Sequence, residues 1–187
     1  MVLICGISAA ALSLARQSLG PLIEKQSDFY VRGPALERLF DKPASELLDN
    51  KINLTVADHT YPIFYLKRDN QISGLAIEAP GAGGYSGDIM IMIGMDLKTN
   101  KISGLEIIQH SETPGVGSKV ENPGYRKQWR NLSFNEPVAL TSQGGGIDAI
   151  SGATYSSKAV LNGTNHIIEL IANHRDEILS MIDADRK

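Results

Sequence analysis

Cysteine is nearly absent from this chain: Cys5 is the only one in 187 residues. An internal disulfide, a CxxC redox pair and a cysteine-bound iron–sulfur cluster are thereby excluded. Four histidines, scattered without a close ligand pair, give no metal-binding spacing. Dense positive charge is missing too. With 18 Lys+Arg against 21 Asp+Glu and no basic cluster, the surface offers no footprint for a phosphate backbone, which argues against nucleic acid as a partner. What is present suffices for a core. Hydrophobic residues make up 42% of the chain, enough for one domain of this size.

Charge is also missing from the start of the chain. Residues 1–15 read MVLICGISAAALSLA, and the first charge is Arg16. As a helix they would reach roughly 22 Å, short of the ~20 residues that span a hydrocarbon core. A signal peptide would carry a positive segment first, and this chain has none. Three readings stand: a membrane-anchor helix over residues 1–19, a processed export signal, or a buried N-terminal helix. The first is the expectation adopted. Residues 20–50 read as a helical connector interrupted at Gly33-Pro34, and residues 51–187 as the folded domain.

From Ile52 onward the hydrophobic period shortens to that of strands. The clearest is Asp88 to Leu97, apolar on both faces and so expected inside a sheet covered on both sides. Leu66 to Leu75 echoes Leu97 to Leu105, each reading as strand, polar turn with asparagine, strand. From Ser156 to Ile182 apolar residues recur at helical spacing, with a break expected near His174. The expected fold is α+β: a mainly antiparallel sheet packed by helices, preceded by the N-terminal membrane helix.

Three segments carry candidate chemistry. The first runs from Asp148 through Ser151, Gly152, Ala153, Thr154 and Ser156, after the glycine run around Gly145. It sets hydroxyls at the start of a long helix, where unpaired N–H groups and the helix dipole favour a phosphate. The competing reading is a simple helix cap made by Ser151, Thr154 or Ser156. The second is His110 to Lys119, with Glu112, Thr113, Gly115 and Gly117 in a proline-stiffened loop. The third is Gly81 to Gly87, with Gly84 and Tyr85. It lacks a P-loop lysine and dinucleotide spacing, so it reads as a glycine loop able to border a flat ligand. Taken alone, the second and third are equally readable as ordinary turns.

Together, in this order, the segments 84–87, 112–117 and 148–156 resemble the FMN-binding domain of the G subunit of the Rnf electron-transport complex. The C subunit of the sodium-translocating NADH:quinone reductase shares that domain. The resemblance covers roughly residues 45–175. It implies FMN esterified through its phosphate to Thr154 and installed by a separate flavin transferase. It further implies partner subunits in a redox-driven ion translocase, and a single-pass anchor in the inner membrane with the flavin domain on the extracytoplasmic side. On that view the chain relays electrons, with no catalytic residue and no metal of its own. Two other hypotheses remain: a membrane-tethered binding or assembly module without redox chemistry, and a hydrolase using Thr154 or Ser151, with His110, His166 or Asp148 as a base.

Overall fold

Burial alternates along the first strand of the sheet and is nearly continuous along the third and fourth. Between Lys51 and Gln109 the chain forms β1 (Lys51–Val56), β2 (His59–Arg68), β3 (Gln71–Gly81), β4 (Ile89–Asp96) and β5 (Lys101–Gln109). A computed structural model of the chain describes residues 2–68 and 71–185. Its five strands lie in the order β1-β2-β3-β4-β5, each antiparallel to its neighbours. β4 is internal and covered on both sides, with Ile91 and Ile93 in one core and Met92 in the other. The two echoing stretches are the β2–β3 and β4–β5 hairpins. Asn100 takes φ 54° in its turn, as expected, whereas Asn70 lies outside the described residues.

Each face of the sheet has its own cover. On one lies a long C-terminal helix (Thr154–Ala184, α5 below), whose Val160, Ile167 and Ile171 join Ile63, Ile77 and Ile91 in the larger core. The helix kinks at His174, where φ −123° and ψ 16° leave the helical region. Trp129 follows the short helix α4 (Pro123–Arg126) and is fully buried, its indole N–H donating to Thr164 Oγ1 at 2.9 Å.

The other face is covered by α2 (Gly33–Phe40) and α3 (Ala44–Leu47), whose Leu36, Leu39 and Leu47 meet Phe64, Ala76 and Met92. Charge fixes the register of this packing. Glu78 on β3 and Glu106 on β5 both pair with Met92 across the sheet and are 4% and 6% exposed. Arg32 grips Glu78 with both ends of its fork, Nε–Oε2 at 2.6 Å and Nη2–Oε1 at 3.0 Å. Those hydrogen bonds raise the Arg32 pKa still further, against the opposing pull of burial. Arg38 donates to Glu106 at 2.9 Å, and Arg126 from α4 pairs with the same carboxylate.

Ahead of them α1 (Val2–Ser27) runs through a π turn at Asp28–Arg32 into α2. The interruption expected at Gly33-Pro34 takes the form of this π turn: the α-helical ladder stops at Ser27 and resumes at Gly33, with Pro34 in its first turn where its missing N–H is tolerated. The expected membrane helix is corrected here: among the described residues no helix is long and apolar enough to cross a membrane. The uncharged run ends at Arg16, and α1 gains its length only by continuing through Gln17, Pro21, Glu24 and Lys25. Length and apolarity do not coincide, so α1 does not supply the single-pass anchor on which the expected inner-membrane, extracytoplasmic localisation rested. A buried N-terminal helix is not found either, since residues 4–19 are all exposed.

Arg32→Ala strands the Glu78 carboxylate among apolar side chains and should lower stability by about 3 kcal/mol, read from the urea midpoint. A double variant, R32M with E78L, should recover most of that loss.

Candidate functional site

The first turn of α5 decides between cap and anchor. Its N-cap is Ala153, at φ −132° and ψ 48°, and among the described residues no side chain caps the helix. The hydroxyls expected there are committed elsewhere or free. Ser157 Oγ donates to the Ala153 carbonyl at 3.0 Å and accepts from Ile150 N–H at 2.9 Å, closing the preceding turn. Gly152 sits in that turn at φ 79°, a conformation that a side chain would strain. Ser156 is buried and donates to Glu112 Oε2 at 2.5 Å. Thr154 is exposed, and among the described residues its hydroxyl has no hydrogen-bond partner. The N-terminus of a 31-residue helix is thus uncapped, with a free hydroxyl on its first residue.

Glu112 holds the site together. It is 5% exposed, and its other oxygen, Oε1, accepts from the Ser86 backbone N–H at 2.9 Å. One carboxylate therefore ties the 81–87 loop and the 110–119 loop to the start of α5. The glycines of both loops make room for it: a methyl group on Gly84 or Gly117 would overlap the Glu112 side chain. Behind the carboxylate, Glu112 N–H donates to His110 Nδ1 at 3.0 Å, which fixes the tautomer so that His110 Nε2 faces Glu121 at 3.1 Å. Glu112 therefore does not line the cavity, as the sequence leads one to expect. It lies beneath the site and positions the residues that do.

Those residues surround a cavity of about 350 Å³, lined by Tyr85, Thr113, Val116, Gly152, Ala153, Thr154, Tyr155 and Ser156. That volume lies within the range of small-ligand sites. Gly115 lies in the same loop as Thr113, its N–H donating to Ser118 Oγ at 2.9 Å, and Ser151 is exposed beside Gly152. Gly145 is not brought to the cavity; it packs against the Ala139 backbone. Asp148 works through its main chain, its N–H donating to Gln128 Oε1 at 2.7 Å. Val116 and Tyr155 line the cavity without having been singled out by the sequence, although Tyr155 directly follows Thr154. Among the described residues no base meets Thr154: His110 is engaged as described, His166 Nε2 lies 2.9 Å from the Tyr61 hydroxyl, and Asp148 makes no hydrogen bond with Thr154. The hydrolase hypothesis therefore gains nothing from the geometry.

Residues 84–169 match the family described as FMN-binding domain, a span that holds every element of this site. The G subunit of the ion-translocating oxidoreductase complex of Haemophilus influenzae is 36% identical over 119 residues, 60% of this chain and 57% of that relative. Its counterpart in Shewanella amazonensis is 31% identical over 146 residues, 73% of this chain and 66% of that relative. This chain belongs to the same G-subunit family. Among solved structures, NqrC of Shewanella oneidensis superimposes with a TM-score of 0.51 at 20% identity over 64% of each chain, a likeness of fold. The chain spans about 57% of the length of the Haemophilus relatives.

Two expectations follow for this member of the G-subunit family. Glu112→Ala leaves the Ser156 hydroxyl and Ser86 N–H without an acceptor and should cost about 3 kcal/mol. Glu112→Gln can still accept from Ser86 and donate to a reversed Ser156 hydroxyl, so its cost should be nearer to about 1 kcal/mol. Thermal unfolding measures both, and faster amide exchange in residues 82–87 of the alanine variant would locate the damage. The second concerns Tyr125, buried against Trp129 at a ring separation of 5.1 Å. Burial pushes its phenol from 10.0 up to about 12, with Ser157 pulling weakly the other way. The phenol oxygen itself is buried without a hydrogen-bond partner among the described residues. The unfolded chain loses the phenol proton first, so this contribution is whole below pH 10 and lost as pH rises toward 12. Tyr125→Phe should gain stability relative to the parent across that window, measured by denaturant midpoints.

Proposed function

We propose that Thr154 carries FMN through a phosphoester bond, and that the chain serves as an electron-relay subunit in a redox-driven ion-translocating complex. One observation carries this reading: among the described residues the exposed hydroxyl of Thr154 has no partner, and it sits on the first residue of a long helix whose N–H groups no described side chain caps. Unpaired N–H groups and the positive dipole end suit the negative charge that a phosphate keeps once it is esterified. Family membership supports the cofactor, since the matched domain is an FMN-binding one and the relatives are named as subunits of ion-translocating oxidoreductase complexes.

Each residue of the site then has a role. Thr154 Oγ takes the FMN phosphoryl group from FAD on a flavin transferase, forming the O–P bond as the pyrophosphate bond breaks, AMP leaves and the threonine proton passes to solvent. Ser156 is spent on Glu112 and cannot compete as acceptor. Ser151 and Gly152 shape the turn, and Thr113, Gly115 and Val116 bound the cavity. The ring supplies the redox chemistry; the protein contributes attachment and surroundings. The other subunits of the complex are the donors and acceptors on either side.

Intact mass under denaturing conditions, after exposure to an active flavin transferase, tests the anchor. One FMN minus one water should map to Thr154, persist in Thr154→Ser and vanish in Thr154→Ala. Thermal stability should change by less than about 0.5 kcal/mol in the alanine variant, as expected for an exposed side chain. An unmodified Thr154, with the transferase proven on a control protein, would leave a noncovalent binding or assembly module.

A further inference from the structure

Large apolar side chains are exposed along α1 and the π turn, but past residue 32 of the described chain only Tyr85, Val116 and Tyr155 are exposed in this way. All three line the Thr154 cavity. Tyr85 is 75% and Tyr155 65% exposed, and among the described residues neither phenol has a hydrogen-bond partner. Aromatic surface left in water at one place, on a domain that buries the rest, marks a contact site. The backbone under both rings is nonetheless fixed. Glu112 holds Ser86, which follows Tyr85, and Ser156, which follows Tyr155. A single buried carboxylate thus sets the spacing of two free rings around the exposed threonine.

We propose that Tyr85 and Tyr155 stack on the isoalloxazine ring of the flavin borne by Thr154, with Val116 as the apolar edge of the seat. This rests on the anchoring role given to Thr154. The chemistry matches: the ring is flat, largely apolar and electron-poor, and phenols are electron-rich partners for offset stacking. Positioning of this kind has an optical signature, because a phenol in van der Waals contact with a flavin quenches its emission and shields it from dissolved quenchers.

The test compares loaded wild type with Y85L, Y155L and the double variant. Because both side chains are exposed, melting temperatures should be unchanged, and intact mass reports the Thr154 adduct separately. Emission of the loaded wild type should lie several-fold below that of free FMN, with little further quenching by iodide. In the double variant both should move toward the free values at the same adduct mass. An adduct on Thr154 with emission and iodide access alike in wild type and double variant overturns the stacking and leaves the anchor intact. If no adduct forms, the anchor fails, and free FMN titrated into the same two proteins decides the stacking. There, tighter binding to wild type by about tenfold is expected, and equal binding overturns it.

Discussion

A buried carboxylate is costly unless both its oxygens accept hydrogen bonds, and Glu112 meets that condition only when three segments converge. Its donors lie 26 residues upstream, at Ser86, and 44 residues downstream, at Ser156. The sheet brings them within reach: β3 leads into the 81–87 loop, β5 into the 110–119 loop, and α5 crosses β3 and β4 with its first turn at the same edge. Folding of the domain and assembly of the site are therefore one event. The glycines at 84 and 117 belong to the same constraint: a Cβ on Gly117 would take the carboxylate's place, and one on Gly84 would strike the Gly87 carbonyl and crowd the carboxylate as well.

This arrangement gives neighbouring hydroxyls different structural duties. Ser157 closes the turn, Ser156 satisfies the carboxylate, and Thr154 is left with nothing to do in the fold. A residue without a structural task can be esterified without disturbing what surrounds it. The opposite face of the sheet repeats the theme for the N-terminal helices, where the buried carboxylates of Glu78 and Glu106 accept from Arg32, Arg38 and Arg126. In both places a buried charge fixes register where apolar packing alone would permit sliding.

Much of this is legible in the residues. The internal strand around Ile91, the hairpins, the kink at His174 and the inward Trp129 all follow from local pattern, and the structure has them. The three glycine-rich segments can be recognised as belonging together. The role of Glu112 is not legible, because a glutamate in a polar loop reads as a surface residue until its distant donors are known. Arg32 and Arg38 are hidden for the same reason, their partners lying 46 and 68 residues away. The N-terminal helix misleads because its charge-free run and its helical length differ: α1 runs on past Arg16 through charged residues and a proline. Gly145 suggests a ligand because glycine runs suit close approach, but what approaches it is Ala139.

Glu112 assembles the site around Thr154. The most direct test of this role is the rate of the proposed loading of FMN onto Thr154 by a flavin transferase in wild type, Glu112→Gln and Glu112→Ala, followed by mass mapping at a temperature where amide exchange shows an intact sheet in all three. Near wild-type loading is expected for the glutamine variant and severely slowed loading for the alanine variant. Equal loading of all three would contradict it, because Thr154 would then be presented correctly without the carboxylate that joins the loops.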